Sequence, residues 1–205
     1  MTESAQSEPY RYEVTDLTAS AGPTPWQTVG PFFHDALPYE AGGDVVGSDR
    51  PGAFTVSGQV LDGEGTPLPD ALVEVWQADE AGRFHTQPGI YRTPQADGFR
   101  GFGRCATDAE GRFRFRTVKP AGVPTTDGTP QAPHLAVSVF ARGMLRRLVT
   151  RMYFPGETAN AADPLLACVP ADRRDTLVAR ELPDGYRFDV HIHGDHETVF
   201  LDVGH

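Results

Sequence analysis

Two histidines separated by one residue near the C-terminal end are the first candidates for chemistry. His191 and His193 would project from the same face of a β-strand, because residues i and i+2 of a strand share a face. Two imidazoles on one face, with Asp195 or His196 nearby, could ligate a metal ion. The neighbouring apolar residues alternate with them: Phe188, Val190 and Ile192. This alternation favours a simpler interpretation, in which both histidines lie on the solvated face of a strand.

A tyrosine and a histidine in the middle of the chain form a second candidate pair. Tyr91 lies in a long segment rich in glycine and proline, Arg83–Gly103, and His134 opens a predicted strand. Phenolate and imidazole are suitable donors for ferric iron. A specific site would need two more ligands, and the spacing of the remaining residues indicates none.

A single arginine is the third candidate. Arg142 follows an apolar stretch that ends at Phe140-Ala141, and a guanidinium there could hold a carboxylate through paired hydrogen bonds. Its position alone favours an ordinary surface charge at the end of a strand.

Composition excludes several classes of function. The formal net charge is -10, which argues against nucleic-acid binding. No apolar run approaches the length of a membrane span, and the polar N-terminus has no signal-peptide pattern, so we expect a cytoplasmic protein. The short motifs of phosphate-binding loops, serine hydrolases and zinc peptidases are absent from the sequence. We expect Cys105 and Cys168 to be buried free thiols.

The elements that must position these residues are strands. The chain has 205 residues, with 22 glycines and 18 prolines that divide it into short segments. The alternation predicts an all-β fold, an antiparallel β-sandwich of about eight strands with long loops and one short helix near Leu177. The C-terminal segment from Tyr186 is expected to form two strands around a tight turn. We divide the chain into a flexible tail (1–22), an irregular aromatic segment that packs at a subunit interface (23–53) and the sandwich (54–205).

Five sequence blocks carry a resemblance to a known family. In chain order they are GQVLDGEGTPLPDALVEVWQADEAGRF, GFGRCATDAEGRFRFRTVKP, APHLAVSVFARG, TRMYFPGE and YRFDV. Together they resemble the intradiol dioxygenases, over about Thr24 to Val203. The resemblance implies a β-sandwich and a ferric ion held by two tyrosines and two histidines. It also implies a reaction that inserts both atoms of O2 between the hydroxylated carbons of a catechol.

The ligand positions of that family are only half retained here. Tyr91 precedes the Gly101–Arg104 block at the family's spacing, and His134 stands at the first histidine position. The position of the second tyrosine holds Val123, and that of the second histidine holds Ala136. An arginine that assists catalysis in the family is replaced by Gln131. We therefore expect vestigial iron-site positions and no metal in this chain.

This pattern resembles the non-catalytic chains of those family members that are built from two kinds of chain. In these enzymes a homologous beta subunit carries the Fe(III). The resemblance implies that the present chain packs on that subunit in a higher-order alpha/beta oligomer and helps to wall a pocket for protocatechuate and O2. By the same resemblance, the wall would include Thr28, Gly30, Pro31 and Arg142.

Two alternatives remain at this stage. The first is a dioxygenase that acts alone with a relocated metal site at His191 and His193. The second is a non-enzymatic sandwich module that serves only in binding, because the block from Gly58 to Val75 also resembles transthyretin-like domains. The aromatic segment Pro23–Tyr39 and the long loop favour the dioxygenase subunit.

Overall fold

The computed structural model describes residues 27–85 and 98–202. The predicted tail, residues 1–22, and the candidate ligand Tyr91 lie outside these ranges. The boundaries proposed at residues 22 and 53 therefore stay predictions.

Nine strands are present in the described ranges, where about eight were expected. They are β1 (Phe54–Leu61), β2 (Leu72–Trp76), β3 (Phe102–Ala106), β4 (Arg112–Thr117), β5 (His134–Phe140), β6 (Leu148–Tyr153), β7 (Arg180–Leu182), β8 (Gly185–Arg187) and β9 (Val190–His191). The helices are short: α1 (Phe33–Ala36), α2 (Pro164–Cys168) and two 3-10 helices over Thr158–Ala162 and Ala171–Leu177.

The strands form two sheets, which confirms the predicted sandwich. The first sheet has the order β4-β1-β8-β7, and β9 also pairs with β1. The second has the order β3-β2-β5-β6 and is antiparallel at each pairing. Two short pairings in the first sheet, β1 with β8 and β1 with β9, are parallel. The sandwich is thus predominantly antiparallel.

The core lies between the sheets and follows the two-residue period of the strands. Phe113 and Phe115 of β4 are buried, and the arginines that alternate with them are more exposed. They meet side chains of the second sheet in one apolar cluster. The members from β2, β5 and β6 are Val73, Val75, Leu135, Val137, Val139 and Met152. A second, smaller cluster around Tyr153 and Leu177 packs under the helices.

The short helix expected near Leu177 is confirmed as a 3-10 helix, Ala171–Leu177, and β7 begins at Arg180. Two other local predictions were wrong. The last predicted strand is not formed by the described residues 195–202, whose N–H groups make isolated backbone bonds instead of a ladder: Glu197 to Gly194 O, Thr198 to His191 O and Leu201 to Val149 O. Both cysteines are free, but Cys168 is exposed at the end of α2 and only Cys105 is partly buried.

No helix in residues 27–85 or 98–202 combines the length and the apolarity that a membrane crossing requires.

Gly58 lies where β1 closely approaches the chain between β8 and β9. A Cβ at this position would lie 1.9 Å from the carbonyl oxygen of Phe188 and 2.7 Å from the ring of Phe113. We expect Gly58→Ala to lower the free energy of unfolding by about 3 kcal/mol, since backbone atoms must move to admit the methyl group. Urea denaturation measures this. Ser57→Ala, on the same strand, is the control and should change stability by less than about 0.5 kcal/mol; equal effects would contradict the crowding.

Candidate functional site

The retained histidine lies on the outer face of the second sheet. Strand β5 buries Leu135, Val137 and Val139 in the core. His134 and Ala136 alternate with these residues and therefore project from the opposite face. His134 and Ala136, two of the positions named in the sequence analysis, thus lie side by side on one face of the strand.

Strand β6 supplies the neighbours of these two positions. In the β5–β6 register, Tyr153 lies opposite His134 and Arg151 lies opposite Ala136. Trp76 of β2 lies on the other side of Ala136. Cross-strand partners share a face, so Arg151 and Tyr153 project toward the same region as His134.

The remaining vestigial positions reach the same region from the segment before β5. The backbone N–H of Gln131 donates to the carbonyl of Val123 at 3.2 Å. The side-chain oxygen of Gln131 accepts a hydrogen bond of 2.6 Å from Nη1 of Arg151. The same nitrogen lies 3.3 Å from the hydroxyl of Tyr153. The structure therefore connects Val123, Gln131, His134 and Ala136; Tyr91 is outside the described residues.

His134 keeps the arrangement that a histidine ligand needs. Its Nδ1 lies 2.8 Å from the carbonyl oxygen of Ala132, which can only accept, so Nδ1 carries the proton. Nε2 is then left with a lone pair. Burial, followed by the positive charge of Arg151, lowers the pKa of His134 below its usual value. The imidazole is accordingly neutral at pH 7.

A buried carboxylate organises the segments around this histidine. Asp163 accepts hydrogen bonds from the backbone N–H of Ala132 at 2.8 Å and from the hydroxyl of Tyr153 at 3.0 Å. It also caps α2 by accepting from the N–H groups of Leu165 and Leu166. Burial, above all, raises the pKa of Tyr153, which stays a neutral phenol that donates to Asp163. Asp163 thereby joins the start of β5, the end of β6 and α2.

The described residues of this centre do not fit a ferric ion. Val123 and Ala136 offer no donor atom, and His134 alone retains a ligand's lone pair. The guanidinium of Arg151 brings a positive charge to the same face of the sheet. Metal sites of defined geometry need several donors that compete with water.

Another buried carboxylate stands where the chain leaves β2 for the long loop. Burial acts to raise the pKa of Asp79, but hydrogen bonds from Arg83, His85 and Ala81 together lower the pKa well below its usual range. Nε2 of His85 lies 3.1 Å from Oδ2 of Asp79. Asp79 thus fixes the last described residues before position 86.

The residues predicted to line the substrate pocket lie near the other end of β5, where the chain leaves this strand. The backbone N–H of Val29 donates to the carbonyl of Met144 at 2.9 Å, which holds the N-terminal turn against the loop after β5. Thr28 and Gly30 flank Val29, and the N–H of Gly30 donates to the Thr28 hydroxyl at 3.3 Å. Gly30 has a φ of +70°, which favours glycine. Thr28, Gly30 and the exposed Pro31 therefore lie on the segment that meets the loop of Arg142.

Arg142 itself is available at the surface. Its side chain is 71% exposed, and Nε lies 3.2 Å from Oδ2 of Asp70. Two large apolar side chains lie on the same two segments, Phe32 with 77% and Leu145 with 51% of their surface exposed. Exposed large apolar side chains are typical of an area that another chain covers.

The histidines near the C-terminus do not form a metal centre. His193 is 83% exposed and pairs with Glu197 at 3.2 Å. His191 lies on β9, with its ring 6.1 Å from that of His196. Phe188 and Val190 are buried as predicted, and Ile192 packs at the margin of the core. In the described part of the chain, no group of three or more His, Cys, Asp or Glu side chains is placed to hold a metal ion.

Sequence reasoning missed Arg151, Tyr153 and Asp163. The first two lie in the TRMYFPGE block, where they alternate with the buried Met152, and the β5–β6 register brings them opposite His134 and Ala136. Asp163 has a local signal, because an Asp before a Pro often caps a helix. Its bonds to Ala132 and Tyr153 span long stretches of sequence and have no such signal.

The chain is similar to several known proteins. A family model described as "Dioxygenase" matches residues 28–192. The protocatechuate 3,4-dioxygenase alpha chain of Burkholderia cepacia is 43% identical over 198 residues, which cover 88% of this chain and 97% of that one. The beta chain from the same organism is 38% identical over 184 residues, covering 84% of this chain and 76% of that one.

A solved structure supports the fold as well. It is the dioxygenase domain of a dioxygenase–carbohydrate-binding protein fusion from Streptomyces sp. SirexAA-E. The sequence identity is 31% and the TM-score is 0.58, and the match covers 84% of this chain and 99% of that domain.

The role of Asp163 predicts a large effect of a small change. In Asp163→Asn, an NH2 group would replace one of the two oxygens that accept from Ala132, Tyr153 and α2. We expect a loss of about 3 kcal/mol in the free energy of unfolding, because buried donors lose their acceptor. Chemical denaturation measures this, with the exposed Asp172→Asn as control. A loss no larger than that of Asp172→Asn would contradict the organising role.

Proposed function

The chain belongs to the intradiol dioxygenase family, and we propose that it is the non-catalytic alpha chain of a protocatechuate 3,4-dioxygenase. The observation that carries this proposal is that Val123 and Ala136 offer no donor atom at two positions where the family resemblance implies ligands, and that Arg151 of β6 lies opposite Ala136. The similarity to an alpha chain over 97% of its length supports it independently.

The reaction belongs to the assembled enzyme. A homologous beta subunit, of the kind represented by the Burkholderia cepacia beta chain, would hold the Fe(III) and activate the catechol ring for attack by O2. Both oxygen atoms enter between the two hydroxylated carbons, and the product is 3-carboxy-cis,cis-muconate. The present chain contributes a wall of the pocket and no metal ligand.

The wall is formed by Thr28, Gly30 and Pro31 on the N-terminal turn and by Arg142 on the facing loop. Protocatechuate carries a ring carboxylate, and a guanidinium binds a carboxylate through two hydrogen bonds. Arg142 already holds a carboxylate of its own chain, that of Asp70, so exchange of Asp70 for the substrate is chemically simple. The net charge of -10 opposes long-range attraction of such an anion, which makes a local cation more valuable.

The exposed Phe32 and Leu145 beside this wall support its burial by the beta subunit. Contact there would exclude water and strengthen the interaction between Arg142 and a carboxylate. A higher-order alpha/beta oligomer and a cytoplasmic location, both expected from the sequence, complete the proposal.

The two alternatives are less well supported. A dioxygenase that acts alone would need a metal centre at His191 and His193, yet His193 is paired with Glu197. A non-enzymatic module would not account for the family match, which continues through residue 192.

The proposal predicts which chain carries the iron. We expect this chain, purified alone, to contain no iron and to show no protocatechuate-dependent O2 uptake. Co-expressed with its catalytic beta subunit, it should give a coloured, iron-containing complex that consumes O2. Metal analysis and an oxygen electrode measure both properties. Iron and turnover in the lone chain would contradict the proposal and would direct attention to His191 and His193.

Arg142, the charged residue among those proposed to line the pocket, gives a second prediction. In the assembled enzyme, Arg142→Ala should raise KM for protocatechuate by about 10-fold with little change in kcat, because the cation binds the ring carboxylate in the ground state and transition state alike. Steady-state kinetics measures the split. Arg112→Ala is the matched control, since Arg112 is also exposed and paired with an aspartate, Asp108. Unchanged KM and kcat in Arg142→Ala would remove this residue from the pocket.

A further inference from the structure

Asp70, the carboxylate paired with Arg142, is held in place by the segment between β1 and β2. The hydroxyl of Thr107 donates to the carbonyl of Leu68 at 2.7 Å, two residues before Asp70. On the other side, the N–H of Ala71 donates to the same hydroxyl at 3.0 Å, and the N–H of Thr107 donates to the carbonyl of Ala71 at 2.9 Å. Because the backbone is bonded on both sides of it, Asp70 has little freedom to leave its position.

The backbone of Arg142 is fixed as well. The N–H of Met144 donates to the carbonyl of Ala141 at 3.2 Å and closes a turn around Arg142 and Gly143. Gly143 has a φ of +86°, which such a turn requires at this place. The carbonyl of Met144 in turn accepts from the N–H of Val29 at 2.9 Å. The guanidinium of Arg142 is therefore presented from an anchored turn.

The pairing of Arg142 with Asp70 leaves most of the guanidinium available. Nε of Arg142 lies 3.2 Å from Oδ2 of Asp70, and the Arg142 side chain is still 71% exposed. A guanidinium carries five N–H donors in a planar fork, so it can contact a second carboxylate. Two carboxylates at one guanidinium repel each other, because they carry like charges. The Asp70 carboxylate thus weakens the attraction of Arg142 for any other anion.

We propose that Asp70 sets how tightly the assembled enzyme binds its anionic substrate and its product, by competing with their carboxylate for Arg142. The inference rests on the proposed function, under which Arg142 lines the pocket. Ring cleavage breaks the bond between the two hydroxylated carbons and leaves the ring carboxylate unchanged, so the product offers the same group to Arg142. The negative charge of Asp70 limits the affinity for both molecules and favours release of the product.

A simpler explanation is that Asp70 only orients the side chain of Arg142. The two explanations differ when the charge is removed and the shape is kept. Asp70→Asn retains an oxygen that accepts from Nε of Arg142, whereas Asp70→Ala removes the acceptor. If Asp70 only orients Arg142, KM is unchanged in Asp70→Asn and raised in Asp70→Ala. If Asp70 competes with the substrate, both variants have a lower KM than the parent enzyme.

The experiment uses the complex of this chain with its beta subunit and measures steady-state kinetics. We expect Asp70→Asn to lower KM for protocatechuate, and the inhibition constant of 3-carboxy-cis,cis-muconate, by about 5-fold without an increase in kcat. The affinity for 3,4-dihydroxybenzamide, an uncharged analogue of protocatechuate, should not change. Asp108→Asn is the matched control, because it removes a carboxylate paired with another exposed arginine, Arg112.

A double-mutant cycle tests whether the effect passes through Arg142. In the Arg142→Ala background, Asp70→Asn should have no further effect on KM, since the competing cation is absent. An equal decrease of KM in that background would overturn the inference, as would an unchanged or raised KM in Asp70→Asn alone.

Metal content and the mass of the complex establish that each variant assembles. Failure of both Asp70→Asn and Asp70→Ala to assemble would assign Asp70 a structural role and would also overturn the inference. An unchanged KM in Arg142→Ala alone would instead remove Arg142 from the pocket and contradict the proposed function, so the two failures are distinguishable.

Discussion

The alternation of strand β5 between core and surface is the constraint on which the arrangement depends. Leu135, Val137 and Val139 must face the other sheet, because they form the centre of the apolar cluster. His134 and Ala136 have no freedom to turn inward, since a shift of one residue would exchange the two faces of the strand. The same hydrophobic burial that holds the sandwich together therefore fixes where the histidine points, which residues of β6 lie beside it and which face the N-terminal segment can cover.

The sequence predicts well which side chains of each strand face the core, because the two-residue period of a strand is a local property. The burial of Phe113 and Phe115, the outward position of His134 and the order of the strands along the chain follow from alternation and turn residues. The short helices and the end of the chain are less predictable, because 3-10 turns and single backbone bonds leave no periodic pattern. The position of Arg151 depends on the register between β5 and β6, and the bonds of Asp163 to Ala132 and Tyr153 depend on tertiary packing. Neither can be inferred from the spacing of residues in one segment.

The outer face of the second sheet has two regions with different properties. Near His134, hydrogen bonds join the side chains of Gln131, Arg151, Tyr153 and Asp163. The polar groups of this region are thus bonded within the chain. At the other end of β5, Phe33 packs on Phe140 with ring centres 6.3 Å apart, and the N-terminal turn meets Met144. There the apolar groups and Arg142 remain turned outward. The outer face is thus closed by hydrogen bonds at one end of β5 and exposes apolar side chains and a cation at the other.

The Asp163 carboxylate has a bearing on how such a chain matures in the cell. In proteins whose strands are tied together by a metal ion, the binding energy of the ion is part of the folding energy, and folding waits for its supply. Here the segments at the centre are tied by a side chain that is synthesised with the rest of the polypeptide and that accepts from Ala132, Tyr153 and the start of α2. The connection between these three segments is therefore made by groups of the chain itself and is available as soon as the chain folds.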